Sequence, residues 1–174
     1  VVIGGGNTAI DAAIQSRRLG AEEVTLVYRR GVGTMGATVV EQAFARDEGV
    51  RIVHWARPVE VHGIDGAVSA IEFALTAPGA DGRAQDTGER FTLAADSVLK
   101  AIGQVFDPVN GPALKGGRIP VDADYHTTIE NVWAGGDCVG GKVDLTVQSV
   151  EDGKRAAAAI HAALTAGGAL LRAC

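Results

Sequence analysis

Gly4, Gly6 and Ala9 have the spacing of a G-x-G-x-x-G/A turn, and the chemistry open to such a turn is to hold a dinucleotide pyrophosphate. Each position has its own reason. Gly4 permits a tight turn out of a strand, Gly6 lets the backbone come close to the phosphates, and Ala9 is small enough for the next helix to pack on the strand. The N–H groups at the helix start and the helix dipole favour the anion. Asn7 and Thr8 are placed to add side-chain hydrogen bonds. A second candidate group is Tyr28-Arg29-Arg30. The tip of the second strand in a dinucleotide fold faces the adenosine ribose. An acid there suits the 2′-hydroxyl of NAD, and an Arg suits the 2′-phosphate of NADP. This tip has two arginines and no acid, which leans towards NADP.

These residues need a strand, a turn, a helix and a second strand in quick succession, and the sequence supplies them. Val1-Val2-Ile3 runs into the glycines. Ile10, Ala13, Ile14 and Leu19 give a helical period that stops at Gly20, and Val24 to Tyr28 is a short apolar run. Together they make the βαβ unit that the motif requires. The loop Gly31 to Ala37 follows, and then a helix over Thr38–Glu48 with Val39, Val40, Ala43 and Phe44 inward. A third strand over Val50–Trp55 is ended by Pro58, and His54 within it reads as packing.

From Val59 the pattern changes. Val59 to His62 alternates, Gly63 to Gly66 turns, Val68 to Leu75 alternates again, a polar loop spans Thr76–Glu89, and Arg90 to Leu93 returns. This reads as an antiparallel β-meander leaving a parallel sheet. A last strand over Ser97–Ile102 delivers Gly103 at its carboxyl end, where ligands of open parallel sheets bind. Ala101, Ile102 and Gly103 are therefore expected beside the cofactor. Phe106 to Asp124, with three prolines, reads as an irregular connection. A short strand before Gly135-Gly136-Asp137 and a helix over Gln148–Ala166, with Val150, Ala157, Ile160 and Leu164 near one face and Gly167-Gly168 as its stop, complete the chain.

The bulk composition narrows the class. The 174 residues suffice for one or two small domains, and 47% apolar with 21% charged residues is the balance of a globular protein. A net charge of −5 argues against nucleic acid or an anionic membrane as a partner. Cys138 and Cys174 are far apart and form no C-x-x-C, so no metal site, disulfide framework or redox dithiol is expected, and a reducing cytoplasm is the default. Cys138 reads as a small buried residue. His126 and His161 lack metal-ligand spacing. The chain opens inside a strand with no initiator Met, which leads us to expect a piece of a longer protein.

Five ordered stretches resemble one family: Gly-Gly-Gly-Asn-Thr-Ala-Ile-Asp at 4–11, Tyr-Arg-Arg at 28–30, Ala-Ile-Gly-Gln at 101–104, Val-Trp-Ala-Gly-Gly-Asp at 132–137 and Thr-Val-Gln-Ser-Val-Glu-Asp-Gly-Lys at 146–154. They are similar to the two-dinucleotide flavoproteins of the pyridine nucleotide–disulfide oxidoreductase class. Within it they resemble the branch of the glutamate synthase small subunit and the electron-input part of dihydropyrimidine dehydrogenase. The loop Met35-Gly36-Ala37 and the stretch Thr146 to Lys154 lean towards the latter.

The resemblance implies an α/β architecture. A Rossmann-like NAD(P)-binding domain with a meander excursion would occupy residues 1–102, and the closing segment of a FAD-binding domain would occupy 103–174. It implies that Gly136 and Asp137 meet the flavin ribityl chain, and that Thr146 and Val147 open a helix aimed at the flavin ring. NADP-using relatives often place another basic residue after the arginine pair. Gly31 to Gly36 has none, so NADP and NAD both stay open. The family's FAD fingerprint and iron–sulfur cysteine clusters do not occur in this chain.

The implied reaction is hydride transfer from NAD(P)H to FAD, followed by passage of electrons to an iron–sulfur or partner-subunit acceptor. Cofactors carry such chemistry, so no catalytic residue is assigned. One alternative is an NAD(P)-binding module without flavin or turnover. A flavin-free dehydrogenase is disfavoured, because neither Tyr28 nor Tyr125 sits where an acid–base would be needed.

Overall fold

The computed structural model describes residues 1–105, 107, 111–140 and 146–171, with 167–171 by backbone alone. Phe106, Pro108 and Cys174 lie outside the described residues. The chain divides into two compact units, residues 1–103 and 104–174. Among the described residues no helix is long and apolar enough to cross a membrane.

The first unit opens with β1 (Val2–Gly4), α1 (Asn7–Arg18) and β2 (Val24–Tyr28). A single 3-10 turn (Val32–Thr34) leads to α2 (Val39–Asp47), β3 (Val50–His54), β4 (Ala56–Ile64), β5 (Ala67–Pro78), β6 (Ala84–Ala94) and β7 (Leu99–Ala101). Four strands form a parallel sheet in the order β3-β2-β1-β7, and β4-β5-β6 form a separate antiparallel sheet. The alternation of side chains along a strand explains the layers. Val2 and Leu26 face one way and pack with Ile10, Ala13 and Ile14 of α1. Ile3 and Val27 face the other way and pack with Ala56, Ile71 and Phe73 of the meander. The apolar residues of β1 and β2 thus each serve one of two cores, which is why these strands read as nearly continuous apolar runs. Phe73 is fully buried and stacks on Phe91 at 5.4 Å between ring centres.

Several elements depart from the sequence expectation. Val39 and Val40 of α2 are 79% and 77% exposed, and Phe44 is 47% exposed. The buried face of α2 is Gln42 and Ala45 instead. Gln42 earns its buried place by donating to the Ala37 carbonyl at 2.9 Å. Leu19 does not join the α1 stripe but stands exposed after the last helical turn. Pro58 does not end a strand. It lies inside β4, an edge strand where a missing N–H is tolerated. The expected polar loop over 76–89 is mostly β-ladder. β5 runs on to Pro78 and β6 starts at Ala84, joined by a turn in which Gly79 donates to the Arg83 carbonyl at 2.7 Å.

In the second unit the expected strand before Gly135 is only an isolated bridge between His126 and Trp133, within a tight reversal where Thr127 donates to the Val132 carbonyl. The final helix, α3 (Thr146–Leu171), runs 26 residues, beyond both predicted ends, and Gly167-Gly168 do not stop it. Among its described side chains the buried ones are Asp152 and Ala156, while Val150 and Leu164 are exposed.

Candidate functional site

The glycine turn is built as its spacing requires. Gly4 pairs with Ala101 across β1 and β7, and its φ of +152° is one that side chains rarely adopt. A Cβ there would lie 2.2 Å from the Ala101 carbonyl oxygen and 2.9 Å from Ala9 Cβ. Gly4 therefore locks the strand against the Ala9 side chain of the helix and the Ala101 backbone of the neighbouring strand, and it cannot be larger without displacing one of them. Gly6 is different. A Cβ on it would meet nothing within 4 Å, so its surface is open to an incoming group.

The start of α1 is left without a partner from its own side chains. Gly6 occupies the N-cap position, no side chain caps the helix and no acid lies in its first turn. The first intrahelical bonds run from Ala9 and Ile10 to the Gly6 carbonyl at 3.0 and 3.2 Å. The N–H groups of Asn7 and Thr8 precede them, and both residues are exposed. This is the arrangement that suits a phosphate.

Sequence reasoning missed Gly5. A Cβ on Gly5 would come within 2.4 Å of the Tyr28 ring. The Tyr28 hydroxyl donates to the Thr34 carbonyl at 2.6 Å, and Ala37 donates its N–H to the Gly5 carbonyl at 3.0 Å. The loop after β2 is thereby fastened against the glycine turn, with Gly36 beside Gly6. A bulky aromatic residue at the end of the strand following a triple glycine is the signal that could have revealed this.

The two arginines at the tip part company. Arg29 is exposed, and its backbone carbonyl accepts from the Thr76 hydroxyl at 2.9 Å, which ties the tip to β5. Arg30 lies back over the Tyr28 ring at 5.8 Å, and its Nε is buried without a partner among the described residues. Its carbonyl accepts from Trp55 N–H at 3.2 Å, and the Trp55 ring packs against Gly31. His54, on β3 beside Tyr28, is half-buried, and burial, reinforced by Arg46, pulls its imidazole below the usual range. Ile102 and Gly103 continue from β7 as exposed residues, and Gly103 has φ +91°.

In the second unit Gly136 adopts φ +83° and Asp137 is exposed, accepting from the Ser149 hydroxyl at 2.8 Å. The Asp137 carbonyl accepts from Arg118. Thr146 and Val147 are exposed at the start of α3. Asp152 is a residue the sequence did not single out. It is buried, and it accepts from the Tyr125 hydroxyl and the Gln148 amide at 2.7 Å each and from Gly136 N–H at 3.2 Å. The bonds from Tyr125 first and Gln148 second hold its carboxyl below the ordinary range, against the effect of burial. Cys138 is half-buried, with its thiol directed to the Gly135 carbonyl at 3.4 Å.

Comparison with known proteins points the same way. The family model described as pyridine nucleotide-disulphide oxidoreductase matches residues 1–162. AegA of Escherichia coli (strain K12), named as an oxidoreductase, is 36% identical over 92% of this chain and 27% of its own length. The glutamate synthase [NADPH] small chain of Azospirillum brasilense is 35% identical over 93% of this chain and 36% of its own. The small chain of the same name from Escherichia coli (strain K12) is 34% identical over 90% and 37%. Among solved structures, T. acidophilum thioredoxin reductase superposes with a TM-score of 0.76 at 22% identity, over 94% of this chain and 52% of that one. The chain thus spans about a third of the length of these sequence relatives and half that of the solved structure. The likeness in structure shows a shared fold, a mixed α/β arrangement of parallel and antiparallel sheets.

Proposed function

The chain belongs to the pyridine nucleotide-disulphide oxidoreductase family, and from that membership we propose that it is the nicotinamide-nucleotide-binding part, with the closing flavin-side segment, of an NAD(P)H-dependent flavoprotein oxidoreductase. The observation that carries this reading is the start of α1, locked in place by Gly4 yet open at Gly6 and uncapped by its own side chains. On this reading residues 1–102 are the NAD(P) domain and 103–174 contribute to a FAD domain.

Gly4 and Ala9 set the turn, and Gly6, Asn7 and Thr8 receive the pyrophosphate. Arg29, and Arg30 after leaving the Tyr28 ring, receive a 2′-phosphate. Ala101, Ile102 and Gly103 form the wall beside the nucleotide. Two relatives carry NADPH in their names, and together with exposed Arg29 this supports NADPH over NADH. Gly136, Asp137, Thr146 and Val147 fit a flavin, since they offer a glycine at φ +83°, an exposed carboxylate and two exposed residues in the first turn of α3. What FAD supplies when bound is a two-electron acceptor for the hydride of NAD(P)H that can release electrons singly. The chain's own residues bind, orient and shield. The onward acceptor belongs to an iron–sulfur centre or a partner subunit, the latter in keeping with the words small chain in the names of two relatives. A second reading is favoured by the glycine turn and arginine tip lying in one unit, namely nucleotide binding alone, without flavin or turnover.

The test is a paired titration with NADPH and NADH in a Trp133→Phe background, following Trp55, which bonds to Arg30. We expect NADPH to bind at least about tenfold tighter, and Arg29→Ala to erase the difference. Equal binding that ignores Arg29→Ala would move the reading to NADH, and failure to bind either nucleotide would overturn it. Flavin absorbance after incubation with FAD separates the two readings.

A further inference from the structure

We propose that Glu60, His62 and Glu72 form a binding site for a divalent transition-metal ion on the β4–β5 hairpin, independent of the nucleotide site. The chain order hides this cluster, because Glu72 is brought in only by the hairpin register. Glu60 pairs directly with Glu72 across the antiparallel ladder. His62 is two residues on from Glu60, so it shares a face with it. One ligand atom from each residue lies within 4.8 Å of the other two, and ligand atoms around one ion reach that closeness with small rotamer adjustments.

A second observation points to a cation. Two carboxylates directly opposite each other in a ladder repel, and sheets select against that placement. The nearest compensation is Arg90, whose Nη1 stands 3.4 Å from both oxygens of Glu72, a long contact at the limit of a hydrogen bond. Nothing comparable reaches Glu60 among the described residues. His62 and Glu72 are half-buried, which limits their rotamers and prepares the site. The ladder also shifts register on both sides of the pair, between Pro58 and Glu60 and between His62 and Gly63. Such irregularities re-aim side chains.

The donor set selects the ion. One imidazole nitrogen and two carboxylate oxygens suit Zn²⁺ or Co²⁺, which accept three protein ligands with water completing the shell. Ca²⁺ and Mg²⁺ want more oxygens and no nitrogen. A bound ion would join an edge strand to its neighbour and neutralise the opposed carboxylates.

The experiment is a calorimetric titration of the whole chain with ZnCl₂, with thermal unfolding measured in parallel. The expected result is one equivalent bound and a raised melting temperature. Both should be lost in His62→Ala, with affinity reduced at least about tenfold in Glu72→Gln and unchanged in His161→Ala. Metal-free Glu60→Gln should melt above wild type, since it removes the repulsion, and should gain little from Zn²⁺. Absence of Zn²⁺ binding by the wild-type chain would overturn the proposal. So would an isotherm that persists in both His62→Ala and Glu72→Gln, and circular dichroism checks that each variant is folded.

Discussion

The starts of α1 and α2 solve the same problem in opposite ways. Every helix begins with backbone N–H groups that lack an internal partner. At α2 the chain supplies a cap of its own. The Thr38 hydroxyl accepts from Glu41 N–H at 3.2 Å, and the Glu41 carboxylate accepts from Thr38 N–H at 2.7 Å, which completes a capping box. At α1 there is glycine where the cap would be and no acid in the first turn. A helix that its own sequence could have capped, yet leaves open beside a locked turn, has its N–H groups available to an outside anion. α2 caps itself and α1 is built to receive.

The comparison can be broken by substitution. The largest effect is expected from Gly4→Ala. Its Cβ would meet the Ala101 carbonyl in a backbone conformation reserved for glycine, and we expect a stability loss of about 3 kcal/mol in chemical denaturation together with loss of nucleotide binding. Gly6→Asp should separate the two properties. It gives α1 the cap it lacks, so stability should change by only a few tenths of a kcal/mol. The new carboxylate would occupy the phosphate position, and nucleotide affinity should fall at least tenfold, or about 1.4 kcal/mol. Thr38→Ala is the mirror experiment, with about 1 kcal/mol of stability lost and affinity unmoved. If Thr38→Ala weakened binding as much as Gly6→Asp, the distinction between the two helix starts would fail.

The smallest effect concerns α3, fastened by Asp152. Its carboxyl is held below the ordinary range in the folded chain by Tyr125 and Gln148. It therefore stabilises fully above the unfolded carboxylate range, and that contribution is lost as pH falls through the depressed folded value. Asp152→Asn should flatten the acid limb of the melting-temperature profile, and it should also flatten the alkaline limb in the tyrosine range, because the Asp152 carboxylate is what raises the Tyr125 phenol.

How much of this was legible in the sequence follows from where the constraint lay. The turn at Gly4, Gly6 and Ala9 was legible because close packing leaves only glycine and alanine there, and packing of that kind is recorded in residue type. The inward face of α2 was not. Val39, Val40 and Phe44 follow a helical period, but the helix is anchored through Ala45 and a hydrogen bond from Gln42, and periodicity cannot anticipate a buried amide. Phe44 instead lies beneath the Arg18 guanidinium at 5.7 Å. The first half of β6, read as loop up to Glu89, escaped for a related reason, whereas Arg90 to Leu93 was legible from Phe91 and Leu93. The residues before Arg90 are largely exposed on both faces, so no alternation marked them, and the ladder there was set by the turn at Gly79–Gly82. Asp152 escaped because two of its partners, Tyr125 and Gly136, are distant in sequence, and an acid on a helix reads as surface until a tyrosine is found bonded to it.

Among the described residues the meander ends at two edge strands, β4 and β6, and their composition decides what they can do. An exposed strand edge is a template for another chain to extend, and long flat ones seed aggregation. Here β4 carries Pro58, which has no N–H to offer a newcomer, and its register breaks twice within nine residues. β6 presents Asp86, Glu89 and Arg90, with Gly88 at φ +90° interrupting the extended backbone. Neither side gives a neighbouring strand a continuous ladder. The excursion can therefore stand out from the parallel sheet, half in water, without recruiting copies of itself into a fibre.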